Sequence, residues 1–220
     1  MDFLLFLDNL DQSITLFLNG SDSLYLDSFA FLATKTFTWI LFFASLLYVI
    51  FREHDFRSFL LVIFFLILGL FIADQVASSV FKPWVARLRP SHDPLLIDQI
   101  DIVNGYRGGT YGFFSSHASN TLFVGTFLSL LFRHRSATLC LILWGVLNCW
   151  TRVYLGVHYF GDVLVGALFG IVIALGCYRL YLYLLPKANV RAYASATLDY
   201  IPLSFWLTLL LLAIPWQLYF

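Results

Sequence analysis

Six apolar runs, separated by charged turns and one long glycine-containing segment, leave this chain few ways to fold. At 1.5 Å of rise per residue, about 20 apolar residues cross the hydrocarbon core of a bilayer. Runs of that order occupy residues 28–51, 59–81, 115–132, 136–151, 162–185 and 201–220. The expected fold is therefore all-α and integral to the membrane, a bundle of about six helices. Composition agrees: 12% of the residues are charged, half of the roughly 25% usual in soluble domains. The 19% aromatic content suits anchoring at the lipid–water interface. Net charge is zero, which argues against a nucleic-acid partner. Cys140, Cys149 and Cys177 lie inside apolar runs and read as small core residues, without metal-ligand spacing or a disulfide framework.

Before the first run, residues 3–18 are apolar but carry Asp8, Asp11 and Gln12, and Asn19-Gly20 ends them. A run this short with internal carboxylates reads as an amphipathic helix lying in the interface rather than a span. It has no basic n-region, so a signal peptide is not expected. A single membrane domain is expected over 1–220, with the interfacial helix in 1–20 and the bundle in 28–220.

Span parity sorts the cations. Arg52, Arg57, Arg133, Arg135, Arg179, Lys187 and Arg191 fall near one side, seven of 13 basic residues, and that side should be cytoplasmic. Lys82, Arg87, Arg89, Arg107 and Arg152 fall at the other, where this rule disfavours them. Five such cations suggest an anion site facing outward, the alternative being contact with lipid headgroups. Lys35 and Asp74 each lie within a span, seven residues from its outer end. They are expected to pair or share a polar network below the outer surface.

Three segments meet on that outer face: Lys82 to Arg89-Pro90, then Phe114-Ser115-Ser116-His117, then Thr151-Arg152 with His158 and Asp162. Together they offer separated cations, two histidines, a carboxylate, and hydroxyls and amides at a helix start. Phosphoryl transfer needs this set: cations and helix-terminal amides for the equatorial oxygens, a nucleophile in line, and an acid for the leaving oxygen. Singly, each has a plainer reading, with His117 a cap or interface residue, His158 a snorkelling aromatic and Asp162 an N-cap. His92 and Asp93 read as surface loop. The run Tyr106 to Gly112 follows no strand, fails the context of a nucleotide-binding loop, and reads as a flexible strap leading into the Ser115 helix start.

In this order and spacing the segments resemble the type 2 phosphatidic acid phosphatase (PAP2) superfamily, whose motifs are K-x6-RP, PSGH and SR-x5-H-x3-D. The first matches fully. The second has Phe114 for Pro and Ser116 for Gly, and the third has Thr151 for Ser. By topology the resemblance covers about residues 59–185. It implies that His158 attacks phosphorus to form a phosphohistidine, that Asp162 holds its other ring nitrogen, and that His117 protonates the leaving group and then activates water. It also implies that Lys82, Arg89 and Arg152 bind phosphate oxygens, with Ser115 and the Ser116 amide assisting, and that no metal or other cofactor is required. The implied function is a membrane lipid phosphatase acting on a phosphomonoester or pyrophosphate headgroup. Lipid A phosphate is favoured because a bulky anionic headgroup would suit extra cations such as Arg87 and Arg107. Undecaprenyl pyrophosphate, phosphatidic acid and phosphatidylglycerol phosphate are the alternatives, and an anion transporter or an inactive lipid-binding relative are the rivals of another class. The expected place is a bacterial inner membrane with the site on the periplasmic side.

Overall fold

A computed structural model describes residues 3–185 and 193–215. They form helices, with no sheet among the described residues. An amphipathic helix α1 (Phe3–Leu18) is followed by a short apolar helix α2 (Leu24–Ala33), and then by α3 (Ile40–Glu53), which a 3₁₀ turn over Thr36–Trp39 extends backwards. Helix α4 (Phe56–Gln75) runs through a π-helical turn, Val76–Phe81, into α5 (Lys82–Val85). After the long loop come α6 (Ser116–Phe132), α7 (Arg135–Tyr154) and α8 (Phe160–Leu184), then α9 (Ser195–Leu198) and α10 (Tyr200–Leu212). Among the described residues, five stretches are long and apolar enough to cross a membrane: Thr36–Glu53, Phe56–Val85, Arg135–Tyr154, Phe160–Leu184 and Ser195–Leu212. The 17-residue α6 packs among them, against α8, α7 and α4. The protein is thus an all-α, multi-pass membrane protein. Lys187 and Arg191, and the end of the apolar run beyond 215, lie outside the described residues.

The seam between α6 and α8 sets the rest. Gly166 and Gly170, four residues apart, face the α6 backbone, and a side chain on either would run into the carbonyl oxygens of Ser115 and Ser119. Small residues at this spacing let two membrane helices approach backbone to backbone, where dispersion rather than the hydrophobic effect holds them. The approach brings the N-termini of α6 and α8 together, and the Ser115 N–H donates to the Asp162 carbonyl at 3.0 Å. Lower in the bundle an aromatic core fills the space, with Phe42, Phe65, Phe123, Phe127, Trp39 and Phe205 all 1% exposed or less. At the far end the turns converge: Arg133 donates to the Tyr178 hydroxyl at 2.9 Å, and Tyr193 pairs with His54 at 2.8 Å. Arg52, Arg57, Arg133 and Arg135 cluster at that end, opposite Lys82, Arg89 and Arg152.

The run expected as one span over 28–51 is broken. Lys35 is extended (φ −79°, ψ 128°) between α2 and the 3₁₀ turn. The break is tolerated because the freed carbonyls find donors within the segment: the Thr38 hydroxyl bonds the Leu32 carbonyl at 2.7 Å, and the Trp39 indole bonds the Ala33 carbonyl at 2.8 Å. Lys35 consequently sits at the end of a span instead of inside one. Its ammonium lies 4.3 Å from the Phe31 ring centre and 5.6 Å from that of Tyr106, a cation–π setting. Asp74 instead accepts a long, 3.5 Å bond from Asn120 on α6. No ion pair joins Lys35 to Asp74, so the pairing expected from their matched depths is absent.

Candidate active site

At the end of the bundle opposite Arg52, Arg57, Arg133 and Arg135, each helix end delivers a candidate side chain. The π turn before α5 rotates Lys82 so that its ammonium bonds Ser78 Oγ at 3.3 Å and Ser116 Oγ at 3.2 Å. Ser115 is the N-cap of α6 and accepts from the Ala118 N–H at 3.4 Å, which puts Ser116 and His117 in the first turn. Arg152 closes the last turn of α7, and the chain turns through 155–159 into α8. Asp162 occupies the third position of α8, where its Oδ2 accepts from the Tyr159 N–H at 3.2 Å. That bond is one half of a capping box.

His158 is 1% exposed and Asp162 fully buried. The His158 Nδ1 lies 3.4 Å from Asp162 Oδ2, and its Nε2 lies 3.2 Å from Arg89 Nη1. The tautomer consistent with both is Nδ1–H towards the carboxylate, with the Nε2 lone pair turned to the guanidinium. Burial pushes the His158 pKa well below its usual value, and Arg89, Arg152 and Lys82 push it the same way. The ring is neutral at physiological pH, as a nitrogen nucleophile must be.

The three cations are held by neutral groups. Arg89 donates to the carbonyls of Tyr111 and Val157, both at 3.1 Å. Arg152 donates to Thr34 Oγ1 at 2.7 Å and to the Tyr106 hydroxyl at 3.3 Å. No carboxylate forms an ion pair with Lys82, Arg89 or Arg152 among the described residues. Such a desolvated positive cluster favours an anion with several charged oxygens. His117 is half-buried beside it, within electrostatic reach of Arg152, His158, Lys82 and Arg89.

All eight residues singled out from the sequence therefore converge on one end of the bundle: Lys82, Arg89, Ser115, Ser116, His117, Arg152, His158 and Asp162. Two other readings change. The glycine-rich run is fastened as a wall of the site: Arg89 N–H donates to the Thr110 carbonyl at 3.0 Å, and Gly112 N–H to that of Arg87 at 2.9 Å. The supposed spare cations are also engaged. Arg87 pairs with Asp8, Asp11 and Asp162, and Arg107 donates to the Ser91 carbonyl at 2.7 Å. Arg87 is thereby removed from the argument for a bulky anionic headgroup. Sequence reasoning missed Thr34, Tyr106, Gly112 and Asp11, all supplied by segments outside the motifs.

Comparison with known proteins places this geometry. The PAP2 superfamily model matches residues 59–186. A lipid A 4'-phosphatase of Bacteroides thetaiotaomicron is 39% identical over 166 residues, covering 75% of this chain and 74% of that protein. A lipid A 4'-phosphatase of Porphyromonas gingivalis is 36% identical over 175 residues, 79% of this chain and 73% of that protein. No solved structure matches. With the three motif segments gathered at one end of a helical membrane bundle, and a family match over more than half its length, the chain belongs to the PAP2 superfamily.

Proposed function

We propose that this protein, a PAP2-type lipid phosphatase and so a phosphoric ester hydrolase, removes a phosphate from the headgroup of lipid A at the periplasmic face of a bacterial inner membrane. The lipid A assignment, and the 4' position with it, rests on the names of the two relatives. The phosphatase chemistry rests on one observation above the others: a neutral, buried His158 lies between Asp162 and Arg89, with Lys82 and Arg152 close by. The outward orientation rests on the basic turns at the opposite end of the bundle.

In this reading Lys82, Arg89 and Arg152 hold the phosphate oxygens, and the amides at the start of α6 add partial positive charge. The His158 Nε2 lone pair attacks phosphorus, and the P–O bond to the sugar breaks. Asp162 steadies the Nδ1–H and offsets the charge that grows on the ring, as a triad carboxylate does. His117, protonated as the incoming phosphate dianion offsets the surrounding cations, gives its proton to the departing oxygen. As a base it then takes one from the water that attacks the phosphohistidine, releasing inorganic phosphate and restoring Nε2.

The test is phosphate release by purified protein from lipid A, undecaprenyl pyrophosphate, phosphatidic acid and phosphatidylglycerol phosphate, with and without EDTA. Lipid A should be turned over fastest and EDTA should leave the rate unchanged. Faster turnover of another lipid would overturn the substrate assignment. Full activity in His158→Ala would overturn the mechanism.

A further inference from the structure

Arg87 stands outside the phosphate cluster but touches its carboxylate. Its Nη1 lies 3.1 Å from Asp162 Oδ1 and 2.8 Å from Asp11 Oδ2, and its Nη2 lies 3.2 Å from Asp8 Oδ1. The guanidinium carbon stacks 3.8 Å from the centre of the Tyr159 ring, and the Tyr159 hydroxyl is tied to Asp93 at 2.6 Å. Three carboxylates around one guanidinium leave it nothing to offer a phosphate.

The same α1 face reaches α8 directly. The Gly161 N–H donates to Asp11 Oδ1 at 2.7 Å, and the Phe160 N–H donates to Thr15 Oγ1 at 2.9 Å. The first amides of a helix have no partner within it. Here two of those of α8 are capped by a different helix, which fixes where Asp162 begins its turn. Asp162 then has each oxygen assigned: Oδ2 serves the Tyr159 N–H and His158, and Oδ1 serves Arg87. Losing the Oδ1 contact would free the carboxylate to rotate away from the imidazole.

We propose that Arg87, itself held by Asp11 of α1, is a positioning residue that fixes the Asp162 carboxylate against His158, making α1 a working part of the active site. The proposal rests on the phosphatase reading above. Arg87 acts only through Asp162, so its loss should lower kcat and spare KM. Lysine keeps the charge without the forked geometry that spans two carboxylates, so it should restore only part of the rate. Asp11→Asn keeps an oxygen that can accept from the Gly161 N–H and removes the charge that faces Arg87, so its effect should pass through Arg87 and the two effects should not multiply.

The experiment uses the full chain in detergent, with phosphate release from lipid A and orthovanadate affinity as readouts. Arg87→Ala should lower kcat by about 10- to 100-fold, by analogy with the loss of a partner that orients a metal-ligating side chain, with KM within about threefold. Arg87→Lys should fall between it and wild type. Arg87→Ala with Asp11→Asn should lose no more than Arg87→Ala alone. A kcat unchanged in Arg87→Ala, a KM effect in its place, or multiplying losses would each overturn the proposal. If Arg87→Ala does not fold, Asp11→Asn carries the test, and a normal kcat there refutes it. If wild type binds vanadate but cleaves no lipid offered, the substrate reading fails while this one stands or falls on weaker vanadate binding in the variants. If wild type does not bind vanadate, both fail.

Discussion

Consider a single methyl group added at Gly112. Built on this backbone it would stand 2.7 Å from Asp162 Oδ2, 3.3 Å from Arg89 Cγ and 3.6 Å from His158 Nδ1. Ordinary contact begins near 3.4 Å, so the carboxylate or the strap must retreat by about 0.7 Å, the difference between 3.4 and 2.7 Å. A misplacement of about 1 Å in a catalytic group costs roughly 100-fold in rate. Gly112→Ala should therefore lower kcat by about 10- to 100-fold. Gly109, three residues earlier in the same strap, has nothing within 4 Å of the corresponding position. Gly109→Ala should leave kcat unchanged, and any effect on stability should be the slight gain expected from restricting the unfolded chain. Both variants are assayed by phosphate release from lipid A under saturating substrate, with melting temperatures measured alongside. Equal activity in the two would refute the claim that the strap fixes the position of Asp162. So would loss of activity in Gly112→Ala accompanied by a collapse in melting temperature, because the defect would then be general unfolding.

Three further outcomes follow from the same geometry. Thr34→Val removes the 2.7 Å acceptor from Arg152 Nη1; lipid A KM should rise several-fold with a smaller change in kcat, and an unchanged KM counts against Arg152 as a phosphate ligand. Gly170→Ala should cost about 1–3 kcal/mol through overpacking against the Ser119 carbonyl, whereas Gly176→Ala, which meets nothing within 4 Å, should not destabilise the protein in a detergent melt. The pKa of His158 lies well below its ordinary value in the folded chain. As pH falls below about 6.5, the unfolded state takes up a proton that the native state refuses, and stability drops by up to about 1.4 kcal/mol per pH unit. Above that pH the contribution is intact. Melting temperature should fall between pH 7 and pH 5, and less steeply in His158→Asn. Some slope should persist because burial also lowers the pKa of His54; an equal slope in both proteins contradicts the buried neutral ring.

The parts legible in the sequence were those written in one dimension. Apolar run length marked the spans, and motif spacing picked out Lys82, Arg89, Arg152, His158 and Asp162. What stayed hidden depends on contacts between segments remote in sequence. Lys35 and Asp74 matched in depth only if 28–51 were one straight helix, and the Thr38 and Trp39 side chains that make the break tolerable carry no breaker signal. Arg87 looked like a spare cation because Asp8 and Asp11 are almost 80 residues away. Gly166 and Gly170 did carry a readable signal, the small-x3-small spacing of closely packed membrane helices. It is this pair that brings the start of α6 against the start of α8.

The three cluster cations lean on carbonyls and hydroxyls, and among the described residues no carboxylate forms an ion pair with them. Like charges held together in a poorly hydrated place work against folding, and whatever dianion settles among them relieves that repulsion. Folding and phosphate binding are therefore thermodynamically linked. Inorganic phosphate at about 100 times its dissociation constant should stabilise the protein by about 2.7 kcal/mol, visible as a melting temperature that climbs with phosphate concentration. Arg89→Gln and Arg152→Gln should flatten that climb, and chloride at equal ionic strength should not reproduce it. The product of the reaction would then also be a ligand that keeps its own enzyme folded.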